Sequence, residues 1–103
     1  MKAQEKVADF VEKHDMEAAQ GFRLLDLVSE VGELAKDATK TSEYGLSPEK
    51  FKLKEDEVGD VMFSLLALAD HLGIDAEKAL ENSIEKYRER IDERGEPGSG
   101  SHS

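Results

Sequence analysis

A short acidic phrase occurs twice in the chain, and each copy places two carboxylates three residues apart with a glycine between them. The first copy is SEVGELA, residues 29–35, and the second is DEVGDVM, residues 56–62. Both copies lie in stretches of helical period, so each pair of acids should project from one side of a helix. Any fold assigned to the chain must therefore accommodate both pairs of carboxylates on helices.

The apolar residues recur at helical spacing along most of the chain, and no stretch alternates with a period of two. The pattern predicts four helices, at residues 3–14, 22–40, 48–72 and from 76 to near 95. Ser47 and Asp75 are suited to cap the third and fourth helices, with Pro48 in the first turn and Gly73 at the end of the third. The fold class expected from this pattern is all-α.

Length and charge limit the chain to one acidic domain. It has 103 residues, with 24 acidic and 14 basic side chains and a net charge of −10. Such a surface argues against binding nucleic acid or an anionic membrane. Without cysteine or a long apolar run, a soluble, cytoplasmic protein is expected. Residues 1–95 form the predicted domain, and residues 96–103, which are rich in glycine and serine, are expected to be a disordered tail.

The acid pair on the third helix gives the stronger functional signal. Charged residues three positions apart are common on a solvent-exposed helix face. Glu30 and Glu33 fit such a solvent-exposed face, because they lie opposite a broad leucine arc and in line with Asp26 and Asp37. Glu57 and Asp60 instead stand where a polar stretch enters an apolar run. That run is expected to be covered on every side, so an uncompensated carboxylate beside it would be costly.

Both acid pairs enclose a glycine, and the donor set they offer is restricted to oxygen. Gly32 and Gly59 allow close approach, either of a packed helix or of a ligand. Zinc would require His or Cys, and a di-iron bundle would require Glu-x-x-His on two helices, which neither copy has. Magnesium, or alternatively manganese, suits such a set. The predicted metal ligands are Glu30, Glu33, Glu57 and Asp60.

The fourth helix carries a basic row beside an apolar stripe of Leu80, Ile84, Tyr87 and Ile91 that is expected to be buried. Asn82, Lys86 and Arg90 recur every four residues along this flank, with Tyr87 beside them. A basic margin of a helical bundle is the ordinary interpretation of such a row. Next to a metal-binding acid cluster, a row that contacts phosphate becomes the functional alternative.

These residues resemble the MazG-like nucleotide pyrophosphohydrolases of the all-α NTP pyrophosphatase superfamily. The resemblance lies in the two-part signature Glu-x-x-Glu and Glu-x-x-Asp, followed by an Asn-x-x-x-Lys-aromatic-x-x-Arg run, and it extends over residues 24–90. It implies a four-helix-bundle-like subunit whose bundle is completed by oligomerisation, as a homodimer or homotetramer. The matching residues are Glu30, Glu33, Glu57, Asp60, Asn82, Lys86, Tyr87 and Arg90.

The resemblance also implies a reaction. A nucleoside triphosphate, ribo or deoxy, would be cleaved between its α and β phosphates to the monophosphate and pyrophosphate, with magnesium, as house-cleaning of the nucleotide pool. Glu30 or Glu33 is expected to activate the water, and Lys36 and Lys54 are weaker candidates for phosphate contact. Phosphoribosyl-ATP pyrophosphohydrolase of histidine biosynthesis and a noncatalytic helical binding module are the alternatives.

Overall fold

The computed structural model describes residues 2–17 and 20–96. Within them the chain forms four α-helices and no strand, so the all-α fold class is confirmed. The prediction of a disordered tail concerns residues that, from 97 onward, lie outside the described part. The helices are α1, Lys2–Lys13; α2, Gln20–Thr41; α3, Glu55–His71; and α4, Ala76–Arg94; a short 3-10 helix, Pro48–Lys50, lies between α2 and α3.

The predicted boundaries between α3 and α4 are confirmed. Gly73, with φ of 70°, follows α3 in the left-handed conformation that glycine adopts without strain. Asp75 caps α4, since its Oδ1 accepts a hydrogen bond from the backbone N–H of Lys78 at 3.1 Å. Gly95, with φ of 77°, ends the helix. These boundaries could be predicted because each depends on the residues within one turn of it.

The predicted start of the third helix at Pro48 is wrong: residues 48–50 form a separate 3-10 helix, and the chain beyond it contacts the end of α2 before α3 begins. The Thr41 hydroxyl accepts a hydrogen bond from the backbone N–H of Lys52 at 2.9 Å. Ser47 does not cap a helix; its hydroxyl donates to the Glu43 carboxylate at 2.9 Å. Lys50, whose ammonium lies 2.9 Å from the same carboxylate, and then Ser47 lower the pKa of Glu43. The helix therefore begins only at Glu55.

Helix α3 is the centre of the subunit. It packs along α2 and α1, and it meets α4 only over a small area. Among the described residues the buried apolar ones are Leu66, Ala67 and Ala69, all on α3. The ring of Phe63 meets that of Phe10 on α1 edge to face, with centroids 6.0 Å apart. The core therefore lies where α3 is covered by the first two helices.

Gln4 of α1 attaches the turn between α3 and α4 to the rest of the subunit. Its buried side chain donates from Nε2 to the carbonyl of Ile74 at 2.7 Å and accepts at Oε1 from the N–H of Ala76 at 2.9 Å. Both backbone groups belong to the turn and the first residue of α4. The start of α4 is thus fixed although its length is sparsely packed.

Several helix faces that the sequence predicts to be buried are exposed. The stripe on α4 is 44 to 55 % exposed, and the apolar run of α3 is not covered on every side, since Met62 and Leu65 are about half exposed. Part of the leucine arc on α2, which we call the outer face, is 47 to 63 % exposed. The described part of the single chain therefore does not cover these faces. The outer face comprises Leu24, Leu25, Val28 and Val31.

Candidate functional site

One stripe of α2 faces α3 and carries polar side chains at intervals of seven residues. Arg23 is buried, and Glu30 and Asp37 are half-buried. Seven residues make nearly two helical turns, so the three side chains project in almost the same direction. Half-buried Leu27 and Leu34 lie between them on the same side. The face of α2 that packs on α3 is therefore a mixed one.

Helix α3 also carries polar residues at intervals of seven. Glu57 is half-buried and meets Asp37, and His71 lines a small cavity together with Arg23. Ser64, buried, lies midway between Glu57 and His71, so the antiparallel register places it level with Glu30. We call this stripe the polar seam. It consists of Arg23, Glu30 and Asp37 of α2 and Glu57, Ser64 and His71 of α3.

The seam corrects the expected orientation of α2. The sequence predicts that Glu30 and Asp37 point away from the packed side, whereas both belong to the stripe that faces α3. The apolar arc of α2 is broad enough to be divided. Its Leu27 and Leu34 edge contributes to the α3 contact, and its other part becomes the exposed outer face.

Asp37 and Glu57 form a carboxyl pair across the seam. Asp37 Oδ2 and Glu57 Oε2 are buried and have no hydrogen-bond partner within the described part of the chain. Two carboxylates only accept, so their contact becomes a hydrogen bond when one of them holds a proton. That hydrogen bond first, then loss of solvent and the negative charge of Asp37, raises the pKa of Glu57 to about 7. Near neutral pH the pair holds a proton part of the time.

The remaining predicted acids are less enclosed than Glu57. Glu33 and Asp60 are exposed and Glu30 is half-buried, and none of the three has a side-chain hydrogen bond or ion pair with residues 2–17 or 20–96. In those residues no three His, Asp or Glu side chains are grouped closely enough to hold a metal ion. The structure thus brings Glu57 together with Asp37, and the site of four acids stays a prediction.

The chemistry of the pair nevertheless fits a hard divalent cation. Such ions prefer carboxylate oxygens, and a positive charge would compensate the contact between Asp37 and Glu57 that otherwise requires a proton. Glu33 precedes Asp37 by four residues and Asp60 follows Glu57 by three, spacings at which side chains are neighbours on a helix surface. The predicted ligands therefore flank the observed pair.

The glycines between the acids do not serve close packing inside this chain. A side chain placed at Gly32 or Gly59 would meet no atom of the described residues within 4 Å. Of the two uses that the sequence left open, packing against another helix of the same subunit is therefore wrong. The surface beside each acid pair stays open.

The basic residues are distributed unequally around the acids. Lys54, exposed just before α3, lies close enough to Glu57 for its charge to oppose the rise in the pKa of that carboxyl. Lys36 is exposed and makes no side-chain hydrogen bond or ion pair with the described residues. Lys54 is thus the better placed of the two lysine candidates for a contact near the acids.

The row on α4 lies apart from the acids in this chain. Lys86 Nζ and Arg90 Cζ lie 5.1 Å and 5.7 Å from the centroid of the Tyr87 ring, where the ring attracts cations. Asn82 is exposed one turn earlier. No hydrogen bond or ion pair within the described part of the chain joins the row to the predicted acid site. The two predicted halves of the site are therefore not brought together by the single subunit.

On α2, sequence reasoning missed the two residues of the seam that accompany Glu30. Asp37 was assigned to the solvent side, and Arg23, whose guanidinium donates to the carbonyl of Met16, was not considered. Both lie seven residues from Glu30 in the sequence. That spacing is the available signal, because it puts all three on one side of a helix.

Comparison with known proteins connects the chain to a family. A family model described as the MazG nucleotide pyrophosphohydrolase domain matches residues 22–95, which include both acid pairs and the α4 row. A Bacillus subtilis (strain 168) protein described as "Uncharacterized protein YpjD" is 38 % identical over 72 residues, covering 66 % of this chain and 63 % of that protein. No solved structure matches the chain. Among the described helices, none combines the length and apolar character needed to cross a membrane.

Proposed function

Because the chain belongs to the MazG nucleotide pyrophosphohydrolase domain family, we propose that it is a magnesium-dependent hydrolase of nucleoside triphosphates, ribo or deoxy. The bond between the α and β phosphates is cleaved, giving a nucleoside monophosphate and pyrophosphate. The observation that carries the proposal is the Asp37–Glu57 pair, which supplies buried carboxylate oxygens without a partner at the helix pair bearing the acidic signature.

The acids of α2 and α3 would hold the metal. The ligands would be half-buried Glu30 in the seam, exposed Glu33 and Asp60, and half-buried Glu57 beside Asp37. When bound, Mg²⁺ (or Mn²⁺) offsets the negative charge of the phosphates and polarises the bond to be cleaved. Without a cation, four carboxylates and a triphosphate would repel one another.

One α2 carboxylate takes the proton of the attacking water. We assign this to Glu33 rather than Glu30, because Glu33 is exposed whereas Glu30 is half-buried, so Glu33 can pass the proton on to solvent. The water oxygen forms a bond to one phosphorus of the α–β bridge. The bridging oxygen leaves with the other phosphorus, so the products are the nucleoside monophosphate and pyrophosphate.

The α4 row would contact the phosphates, and a second copy of the chain would bring it there or complete the site. Lys86 and Arg90 supply positive charge, Asn82 supplies hydrogen bonds, and Tyr87 lies beneath the two cations. The exposed outer face of α2 and stripe of α4 are surfaces that a homodimer or homotetramer would cover. House-cleaning of noncanonical nucleotides in the cytoplasm is the corresponding role.

The test is product analysis with a purified protein. The protein and MgCl₂ are incubated with canonical nucleotides, damaged nucleotides and phosphoribosyl-ATP, and the products are separated by ion-exchange chromatography. We expect monophosphate and pyrophosphate in equal amounts from at least one nucleoside triphosphate, and Glu57→Gln should lower kcat/KM by about 100-fold. Glu49→Gln, which removes a charge from the exposed connection, is the matched control. Release of no pyrophosphate from any substrate would contradict the proposal.

A further inference from the structure

We propose that Asp37 is a further ligand of the divalent cation, additional to the two acid pairs. The inference rests on the proposed function, since it requires a cation between α2 and α3. It concerns a residue outside the repeated phrase, seven residues after Glu30 and four after Glu33. The donor set would then extend one helical turn along the seam.

The first support is contact. Asp37 is the α2 acid whose carboxyl group interacts with a predicted ligand, Glu57, across the helix pair. Glu30, Glu33 and Asp60 make no side-chain hydrogen bond or ion pair in the described part of the chain. A cation held by Glu57 therefore has Asp37 as its neighbour on α2.

The second support is an unmet need at both carboxylates. Asp37 Oδ2 and Glu57 Oε2 are buried, and no N–H or O–H group of the described residues donates to either oxygen. A covered polar oxygen without a partner is costly, and two acceptors cannot satisfy each other. When neither carboxyl holds a proton, no group in the described part of the chain satisfies these oxygens, and a divalent cation would satisfy both of them and compensate both charges.

The third support is the contrast with another acid of the same helix. Asp26 is exposed and makes no side-chain hydrogen bond or ion pair with the described residues. Replacing it removes the same negative charge from α2 without touching the pair. The chain thus supplies its own control for general attraction between an acidic helix and a cation.

The experiment measures Mn²⁺ binding to the full chain without nucleotide, by the electron paramagnetic resonance signal of free Mn²⁺. Asp37→Asn should raise the dissociation constant at least about 10-fold, whereas Asp26→Asn should change it by about twofold or less. Asparagine keeps the size of the side chain and can donate a hydrogen bond to Glu57. A role confined to holding Glu57 in place would therefore survive this substitution, and the loss of a ligand would not.

Circular dichroism and the melting temperature without metal show whether each variant folds, and Asp37→Ser replaces Asp37→Asn if the latter does not. Equal Mn²⁺ affinity of wild type and a folded Asp37 variant overturns the inference, as does failure of both variants to fold or absence of Mn²⁺ binding by the wild type. The proposed function fails separately, when the wild type releases no pyrophosphate. Activity with unchanged Mn²⁺ affinity in Asp37→Asn would leave the function standing and remove Asp37 from the site.

Discussion

The polar seam buries polar groups, whereas helix α4 leaves apolar side chains exposed to solvent. In the seam, one carboxylate oxygen each of Asp37 and Glu57 is buried without a partner in the described part of the chain; on α4, apolar residues such as Leu80 and Ile84 are about half exposed. Covered polar groups need partners, and an exposed apolar stripe needs a cover. Each region therefore lacks something that the single chain does not supply. For the seam we propose a cation, and for α4 a second copy of the chain.

Removing the metal should have the largest effect on activity. This experiment tests only the cation site proposed for the seam. Excess EDTA should lower pyrophosphate release to background, because the phosphates would then face uncompensated carboxylates. Added Mg²⁺ should restore the rate. Retention of a substantial rate in EDTA, measured by chromatography of the products, would break the assignment of the seam as a cation site. The helical circular dichroism, recorded in parallel, controls for unfolding.

A charge introduced into the apolar stripe of α4 should have the next largest effect, which is on association of the copies. This experiment tests only the interface proposed for α4. Ile84→Glu should raise the dissociation constant of the oligomer by about 30-fold or more, since a central interface residue contributes 2 kcal/mol or more. Glu89→Lys, an exposed position on the same helix, is the control. Size-exclusion chromatography with light scattering gives the mass against concentration. An unchanged mass profile for Ile84→Glu would mean that another surface, or none, joins the copies.

Substitution in the basic row tests whether the two regions act together. Lys86→Ala should lower kcat/KM by about 10-fold, the effect of losing one hydrogen bond to a charged group, while Mn²⁺ affinity without nucleotide stays unchanged. Arg88→Ala is the control, because Arg88 is already engaged with Glu85 at 2.7 Å on the exposed side. Equal losses in both variants would show that the row has no specific contact with substrate.

The smallest effect is the pH dependence of stability in the metal-free protein. The pKa of Glu57 rises from 4.5 to about 7 on folding, so between these values the folded chain binds more protons than the unfolded chain. This carboxyl therefore costs nothing below pH 4.5, and its penalty grows as the pH rises to about 7 and is then complete. Glu57→Gln should remove that part of the decline in melting temperature. Identical pH profiles of the two proteins would contradict the close carboxyl pair.

The parts of the fold that sequence predicted correctly are local. Asp75 caps α4 and Gly73 follows α3 because each acts within one turn of its own position. The start of α3 was wrong because the Thr41–Lys52 contact joins residues eleven apart. The orientation of α2 was wrong because an apolar arc so broad does not determine which of its edges faces the neighbour.

The same division holds for the candidate site. Glu57 was singled out from its position at the entrance to an apolar run, and it is the predicted acid with a perturbed environment. Asp37 was missed because its proximity to Glu57 depends on the antiparallel register between α2 and α3. The periodicity of a single helix does not reveal that register. The separation of the α4 row from the acids likewise follows from how sparsely α4 packs on α3.

The central claim, that the seam binds the cation and α4 does not, is tested most directly by locating Mn²⁺ in a crystal of the protein. The anomalous difference map should show a peak beside the carboxylates of Glu57 and Asp37, and this peak should be absent from crystals of Glu57→Gln. A peak at α4 or on the outer surface, with none between α2 and α3, would contradict the account.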